Sequence, residues 1–256
     1  MRSMHITYPA AHKWIEQLTE DPIAHLGKNN RARLRSTLNK LADTSIHYEV
    51  KPLTTDIIDW FTPLYQEAIG QKQNSKIFDI YASTLGKQSV VPYFALILYE
   101  NDEPVGATIF SERKNILSIA YRIYPYHWET HKLQANPSLY TEYVIRQHAC
   151  ERGYTQLTHG RDRNPYGVNS SIGLALFKLS VGCQVFLPNA QYETHTNELT
   201  DFSEDILVFL QPDAEQKQIT QGILYASEAG MEKFSSVTKY PDSIEIELIT
   251  RPSAES

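Results

Sequence analysis

The chain has 256 residues, of which 41% are hydrophobic and 21% charged, and its formal net charge is −6. This is the composition of an ordinary globular protein with room for a sizeable core. The negative charge argues against a polyanion-binding surface over the whole molecule, so DNA is not an expected partner, although a local basic groove stays open.

The sequence also bears on compartment. No stretch approaches the roughly 18 continuous apolar residues that a membrane span needs, and the first residues lack an apolar core of signal-peptide length. Cys150 and Cys183 are the only cysteines, which suits free thiols in a reducing compartment. We therefore expect a cytoplasmic protein.

The first 45 residues predict a helical segment. An apolar face indicates one helix over residues 10–20, which Asp21-Pro22 ends. A second helix is predicted over residues 30–42. Its outer face, which is either solvated or a docking edge for phosphates or an acidic partner, carries Arg31, Arg33, Arg35 and Lys40.

Residues 46–124 predict a strand, two helices and then a meander of strands. The strand covers residues 46–53, and the helices cover residues 57–71, interrupted by Pro63, and 77–85. Three strands joined by tight turns follow and should form an antiparallel sheet. They lie at residues 93–99, 105–111 and 116–124.

The stretch from Tyr154 to Leu187 reads as strand, polar loop, helix, glycine and strand. A helix over residues 138–152 precedes it. Within the stretch Tyr154–Leu187, the loop is rich in Gly, Arg, Asp, Asn and Pro, and Gly182 ends the helix that follows the loop. In open α/β sheets, ligands tend to bind at the carboxyl ends of strands, which is where this loop begins.

The last part of the chain is less regular. We predict a polar loop at residues 189–203, a strand at 206–210, a helix at 216–229 and a strand at 244–249. The domain organisation expected is an N-terminal helical segment (1–45), a central domain (46–190) and a C-terminal extension packed on that domain (191–256).

This order of elements resembles the GNAT acyltransferases, and in particular the acetyltransferase-like domains related to the FemAB peptidoglycan-bridge transferases. The resemblance is carried by the helix SLYTEYVIRQHACERGY, the loop LTHGRDRNPYG and the helix GLALFKLSVG, and it covers roughly residues 45–190. It implies an α/β (α+β) fold with a central mixed, mostly antiparallel sheet and helices on both faces. It also implies N-acyl or aminoacyl transfer to a small-molecule amine or peptide acceptor.

The resemblance further implies a donor site. Such folds splay two neighbouring strands, and the donor's pantetheine arm bonds to the exposed backbone there, which here points to Tyr121 and Ile123. A pyrophosphate would sit at a helix N-terminus, at Ser138 and Leu139. The co-substrate implied is acyl-CoA, such as acetyl-CoA. The chain departs from the usual pattern because no glycine lies between Tyr124 and Tyr140, which favours another donor, such as aminoacyl-tRNA, or a domain that has lost the reaction.

Lys178, Arg161 and Asp162 are the first candidates for chemistry. Lys178 matches the family's Phe-Lys position and would hold a phosphate or stabilise an oxyanion; the alternative is a lysine snorkelling at a helix edge. Arg161 would orient a substrate, and Asp162 would bind the amine or act as a base. The alternative for both is a loop held by an Arg–Asp pair.

His159 and Tyr166 complete the set of candidates. His159 would act as a general base near neutral pH, or is a hydrogen-bonded structural residue. Tyr166 would protonate a leaving thiolate, or packs in a turn.

Two further hypotheses compete with transfer. One is a catalytically silent GNAT-like domain that binds a metabolite or a partner protein. The other, weaker one is a metal-dependent hydrolase, suggested by His127 and His131 at a spacing that zinc accepts on a helix. No third ligand is near in sequence, so no metal site is predicted. A homodimer is left open.

Overall fold

A computed structural model describes residues 4–70, 77–87, 89–125, 127, 135–168, 170–188, 191–213, 215–234 and 244–252. The chain divides into two compact units. We call Glu16–Gly160 the central unit, and Met1–Ile15 together with Arg161–Ser256 the terminal unit. The predicted domain boundaries at residues 45 and 190 do not coincide with these limits, and that division stays a prediction.

The strands and helices are as follows. The strands are β1 (His5–Pro9), β2 (Ala11–Gln17), β3 (His47–Pro52), β4 (Tyr93–Glu100), β5 (Glu103–Arg113), β6 (Ile116–Ile123), β7 (Gln156–Arg163), β8 (Gln184–Phe186), β9 (Thr194–Glu198), β10 (Ile206–Phe209), β11 (Gln218–Ile219), β12 (Gln221–Ala226) and β13 (Glu245–Thr250). The helices are α1 (Lys28–Leu41), α2 (Thr55–Gly70), α3 (Ile80–Ser83), α4 (Pro137–Glu151), α5 (Ile172–Ser180) and α6 (Glu228–Phe234).

The central unit is built on a mixed sheet. Strand β4 pairs antiparallel with β3 and β5, and β5 pairs antiparallel with β6. The β6–β7 pairing is parallel. The predicted meander of three strands is therefore confirmed, as is a mixed, mostly antiparallel sheet.

Both faces of this sheet are covered by helices, because successive side chains of a strand point to opposite faces. Leu96 and Leu98 of β4 belong to one core cluster, with Leu41 of α1 and Val144 of α4. The alternate residues of β4, Ala95 and Ile97, belong to a second cluster with Ile58 and Phe61 of α2. Helices on both faces of the sheet, as predicted, are confirmed.

The terminal unit contains further strand pairings. β12 lies between β10, which is antiparallel to it, and β13, which is parallel. β1 pairs antiparallel with β9, and β8 pairs antiparallel with β2 and β11. A separate core cluster forms here around Ile6, Tyr8, Ile206, Val208 and Ile223.

Besides the loop at Arg161–Arg163, three predicted elements are wrong. The helix predicted over residues 10–20 is instead strand β2 (Ala11–Gln17), in which His12, Trp14 and Glu16 alternate inward, and two of these three are not apolar. Residues 194–198 of the predicted loop form β9, which pairs with β1 through its backbone. Its side chains are polar, so the sequence lacks the apolar alternation that would indicate a strand. The helix predicted over 216–229 is mostly β11 and β12, and a short buried apolar run does not distinguish strand from helix.

Two smaller points concern the cysteines and the helices. Neither cysteine forms a disulfide. Among the described residues, no helix combines the length and apolar character needed to cross a bilayer.

The core of the central unit yields a stability prediction. Phe110 is fully buried, whereas Phe78 is 50% exposed. We expect Phe110→Ala to lower the free energy of unfolding by about 3–5 kcal/mol, because it removes buried contacts and leaves a cavity. Phe78→Ala deletes the same atoms at the surface and should cost much less. Urea denaturation of both variants measures the difference; equal losses would contradict the assigned core.

Candidate functional site

Asp162 is the centre of a hydrogen-bonded cluster in the terminal unit. Its Oδ2 accepts bonds from the Lys178 ammonium at 2.7 Å, the Tyr166 hydroxyl at 2.6 Å and the Trp14 indole N–H at 2.8 Å. The structure therefore brings together three of the five predicted catalytic residues. Trp14 is a fourth member that the sequence analysis placed only in a helix.

Regular elements hold each member of this cluster in place. Asp162 lies on β7 and Trp14 on β2. Lys178 lies in the last turn of α5, which Ser171 caps by accepting the Leu174 amide proton. Tyr166 is fixed by two backbone hydrogen bonds with Leu207 of β10, of 2.9 and 3.1 Å.

Tyr166 is enclosed rather than presented to a substrate. It is fully buried and gives its proton to Asp162. Its oxygen accepts from Trp14 at 3.0 Å and lies 3.0 Å from Nε2 of His12. Burial, with Asp162 beside it, raises its pKa well above the ordinary value. This geometry favours the packing role that the sequence left as the alternative.

His12 supports Tyr166 as a neutral imidazole. Burial lowers the pKa of His12 to about 3. Because the Tyr166 proton already goes to Asp162, Nε2 of His12 must be the donor in their contact. His12 thereby completes the hydrogen bonds of a hydroxyl that water does not reach.

Asp162 and Lys178 form an ion pair at the edge of this cluster, with side chains 14% and 10% exposed. Burial raises the pKa of Asp162, but the Lys178 ammonium and the Tyr166 hydroxyl outweigh it and hold that pKa below its usual value. The ammonium also lies 5.5 Å from the centre of the Trp14 ring, within cation–π range. Oδ1 of Asp162 accepts no hydrogen bond from any residue the structure describes.

Arg161 does not join the pair. The predicted loop over Arg161–Arg163 is wrong: β7 continues through these residues, and Arg161 and Arg163 are exposed while Asp162 is partly buried. Adjacent strand residues point to opposite faces. Arg161 is therefore directed away from Asp162 and Lys178, and it forms no ion pair with a described residue.

His159 belongs instead to a buried charge network in the central unit. Its Nε2 lies 3.5 Å from Oε2 of Glu16, and its Nδ1 lies 3.7 Å from Oε1 of Glu142. Arg146 donates from Nε and Nη2 to the two oxygens of Glu16 at 2.7 and 2.8 Å. Arg122 pairs with Oε1 of Glu142. Two carboxylates, two guanidiniums and an imidazole thus share one water-poor interior.

Glu142 is the residue that the sequence interpretation missed. Glu142 is fully buried on α4. Burial raises its pKa, but Arg122, His159 and Arg146 outweigh burial and lower the pKa to about 2. The signal available in the sequence was Arg146 at i+4 on the same helix, a spacing equally common on solvated surfaces.

Strands β6 and β7 part beyond a short ladder. They pair only from Ile116 with Gln156 to Ser118 with Thr158, although β6 runs on to Ile123. No later residues of β6 are bridged to β7 in the described part of the chain. Tyr121 and Ile123 lie on this parted segment, with side chains in the α2-side core; Tyr121 also hydrogen-bonds Ser83 at 2.7 Å.

The N-terminus of α4, the predicted pyrophosphate site, is already partly occupied. Asn136 caps it by accepting the Leu139 amide proton at 3.0 Å. Pro137 has no amide proton. Ser138 therefore carries the one first-turn amide that no described residue occupies.

The predicted histidine pair is not tested, because His131 lies outside the described residues. His127 Nε2 lies 3.3 Å from Oε2 of Glu100.

Comparison with known proteins gives likeness of fold only. No protein-family model matches the sequence, and no curated protein matches it. Similar solved structures include FemX (12% identity, TM-score 0.49, covering 68% of this chain and 59% of that one) and L-PGS from Bacillus licheniformis (18%, 0.44, 68% and 52%). A GCN5-related N-acetyltransferase from Anabaena variabilis is also similar (15%, 0.31, 76% and 40%). The chain spans between 40% and 59% of the length of these structures.

The buried network yields a prediction about acid. We expect Glu142→Gln to lower the free energy of unfolding by about 3–5 kcal/mol at neutral pH, because it leaves buried guanidinium charge uncompensated. In the native protein, the pKa of Glu142 is about 2, against an ordinary value of 4.5. The unfolded chain therefore binds this proton at a higher pH than the folded chain, and stability falls as the pH drops through that interval.

Thermal melts between about pH 5 and 2 test this. The fall should be smaller in Glu142→Gln than in the unmodified protein. Glu103 is exposed, so Glu103→Gln should keep both the neutral-pH stability and the full acid dependence. An unchanged acid dependence in Glu142→Gln would contradict the assignment of a buried, ionised Glu142.

Proposed function

We propose that this protein is an N-acyltransferase that moves an acyl or aminoacyl group from a thioester or ester donor to an amine. The observation that carries the proposal is the parting of β6 from β7 after Ser118 and Thr158. The freed edge of β6 offers backbone N–H and C=O groups to an extended donor arm, as an added strand would use them. Tyr121 and Ile123 lie on that edge, with their side chains packed away from it.

Asp162 suits the acceptor amine. Its Oδ2 is occupied by three donors, which leaves Oδ1 to accept a hydrogen bond from an amine or ammonium. Because Lys178 keeps the pKa of Asp162 below its usual value, this carboxylate is a weak base and a good anchor. We therefore assign Asp162 to amine binding, and the proton-accepting role to water or another group.

Lys178 suits charge that develops on the donor carbonyl. In the reaction, the amine nitrogen forms a bond to the carbonyl carbon, and the bond from that carbon to the donor's sulfur or oxygen breaks. The proton lost by the amine ends on the leaving thiolate or alkoxide through water. An ammonium held by Asp162 and only 10% exposed is a preorganised donor to the intermediate oxyanion.

The identity of the donor is the finer part of the proposal. With Pro137 and the Asn136 cap, the N-terminus of α4 offers little to a pyrophosphate. This favours a donor without a pyrophosphate, such as an aminoacyl-tRNA ester. Acetyl-CoA and long-chain acyl-CoA stay in the set because both carry the extended pantetheine arm whose amides the freed edge of β6 would bind.

A second candidate is a binding domain without catalysis. It is favoured by the closed hydrogen-bonding of the Asp162 cluster, in which Tyr166 has no capacity left. In this case the parted strands would hold a metabolite or a peptide without reaction.

A donor panel separates the two candidates. Thermal shift is measured with acetyl-CoA, a long-chain acyl-CoA and aminoacyl-tRNA, with free CoA and uncharged tRNA as controls. A true donor at 100 times its dissociation constant should stabilise the protein by about 2.7 kcal/mol. Mass spectrometry then follows acylation of a panel of primary amines. No donor-dependent stabilisation and no acylated amine would leave only the binding domain.

The role of Lys178 is tested with the donor that passes this panel. We expect Lys178→Met to lower kcat by about 10²–10³-fold, since removing one oxyanion donor typically costs this much. Lys217 lies in the same unit and is exposed, so Lys217→Met is the matched control and should keep kcat. Melting curves for both variants show that assays run on folded protein; an unchanged kcat in Lys178→Met would exclude an oxyanion role.

A further inference from the structure

Arg122 carries a hydrogen-bonding edge that the described protein does not fill. Its side chain is 11% exposed, and its Nε and Nη2 atoms are buried without a hydrogen-bond partner among the described residues. Its remaining nitrogen, Nη1, pairs with Glu142. Buried guanidinium protons normally have acceptors, so we expect an acceptor for the Nε and Nη2 protons of Arg122.

The structure itself shows what such an edge binds. Arg146 uses the same two nitrogens, Nε and Nη2, to hold both oxygens of Glu16 at 2.7 and 2.8 Å. This is the fork geometry that matches a carboxylate or a phosphate. In Arg122 the equivalent fork has no partner of this kind among the described residues.

The rest of the network keeps the Arg122 fork in one orientation. Glu142 holds Nη1 of Arg122 and is itself approached by Arg146 at 3.4 Å. Although burial lowers the pKa of Arg122, Glu142 outweighs it and the pKa stays above its ordinary value. The guanidinium is therefore a fixed, permanent cation whose own orientation need not change to receive an anion.

The position of Arg122 also favours a ligand. It lies on β6 four residues beyond Ser118, the last β6 residue paired with β7, where backbone amides of β6 are free of that ladder. A fixed cation on a strand segment that the β7 ladder does not reach is a surrounding that stabilises negative charge.

We propose that the Nε–Nη2 edge of Arg122 is a binding site for a two-oxygen anion, a carboxylate or a phosphate group. The site stands on Arg122 and its network in the central unit, whether or not the protein is an acyltransferase. A substrate carboxylate and a phosphate ester share this chemistry, and the two arms of the test distinguish them.

The test titrates sodium acetate and inorganic phosphate separately, against sodium chloride at equal ionic strength. The readout is the side-chain Nε–H resonances of arginine in ¹⁵N-labelled protein, with thermal melts in parallel. We expect one protected Nε–H resonance to shift saturably with acetate, with phosphate or with both. Which anion does so identifies the carboxylate or the phosphate as the ligand group.

Arg122→Lys keeps the positive charge beside Glu142 but removes the fork. We expect it to bind the effective anion at least about tenfold more weakly, because an ammonium is a point donor. Arg113 is exposed on the neighbouring strand β5, so Arg113→Lys is the matched control and should bind normally. It also tests for a general effect of arginine replacement.

Two outcomes would overturn the proposal. One is a shift of the Nε–H resonances that stays linear in the concentration of both anions, which would mean that only water binds the Nε–Nη2 edge of Arg122. The other is saturable binding that Arg122→Lys retains, which would place the site elsewhere. If Arg122→Lys does not fold, the resonance titration of the unmodified protein decides, since it needs neither the variant nor transfer activity.

Discussion

The side-on pair of Arg146 and Glu16 is the interaction on which the interior of the central unit depends. Both side chains are almost completely buried, and either one alone would be an uncompensated charge in a medium that solvates it poorly. Two bonds of 2.7 and 2.8 Å fix the Glu16 carboxylate, and the same guanidinium approaches Glu142. Glu142 then holds Arg122, and His159 lies between the two carboxylates. Removing one charge from this set leaves the remaining charges buried without full compensation, which destabilises the fold. A substitution at one of these residues therefore affects all of them.

In the terminal unit, a partly buried carboxylate is stabilised through a single oxygen. Oδ2 of Asp162 accepts from an ammonium, a phenol and an indole, and that concentration of donors keeps the carboxylate ionised. The hydroxyl of Tyr166 is saturated by hydrogen bonds with Asp162, Trp14 and His12. Of the residues in this cluster, Asp162 and Lys178 are therefore the ones that can form further hydrogen bonds. The enclosed residues therefore hold the cluster in position, and Asp162 and Lys178 form its partly exposed edge.

Local sequence signals were enough for much of the fold. The meander at β4–β6 followed from turns between apolar runs, and α5 was predicted as the helix that Gly182 ends. They failed where burial falls on residues that are not apolar, as in β2 with His12 and Glu16. The candidate site was also only partly predictable. Lys178 and Asp162 could be singled out by motif. The side of the sheet on which Arg161 lies depends on β7 continuing to Arg163, which the motif does not show. Glu142 could not be found, since a glutamate with an arginine at i+4 is identical in sequence whether the pair is solvated or buried.

In the proposed transferase, the choice of donor would depend on two backbone features of the central unit. A parted strand such as β6 beyond Ser118 offers repeated N–H and C=O groups, and these recognise an extended arm by its amides rather than by its charge. The N-terminus of α4 would add recognition of a pyrophosphate, but its Asn136 cap and Pro137 have already removed most of the donors that anion would use. Introducing a pyrophosphate there would require displacing the cap, which costs typically about 1 kcal/mol of helix stability. If the proposed transfer takes place, these backbone features would favour donor arms that bind along β6 over headgroups that need the N-terminus of α4.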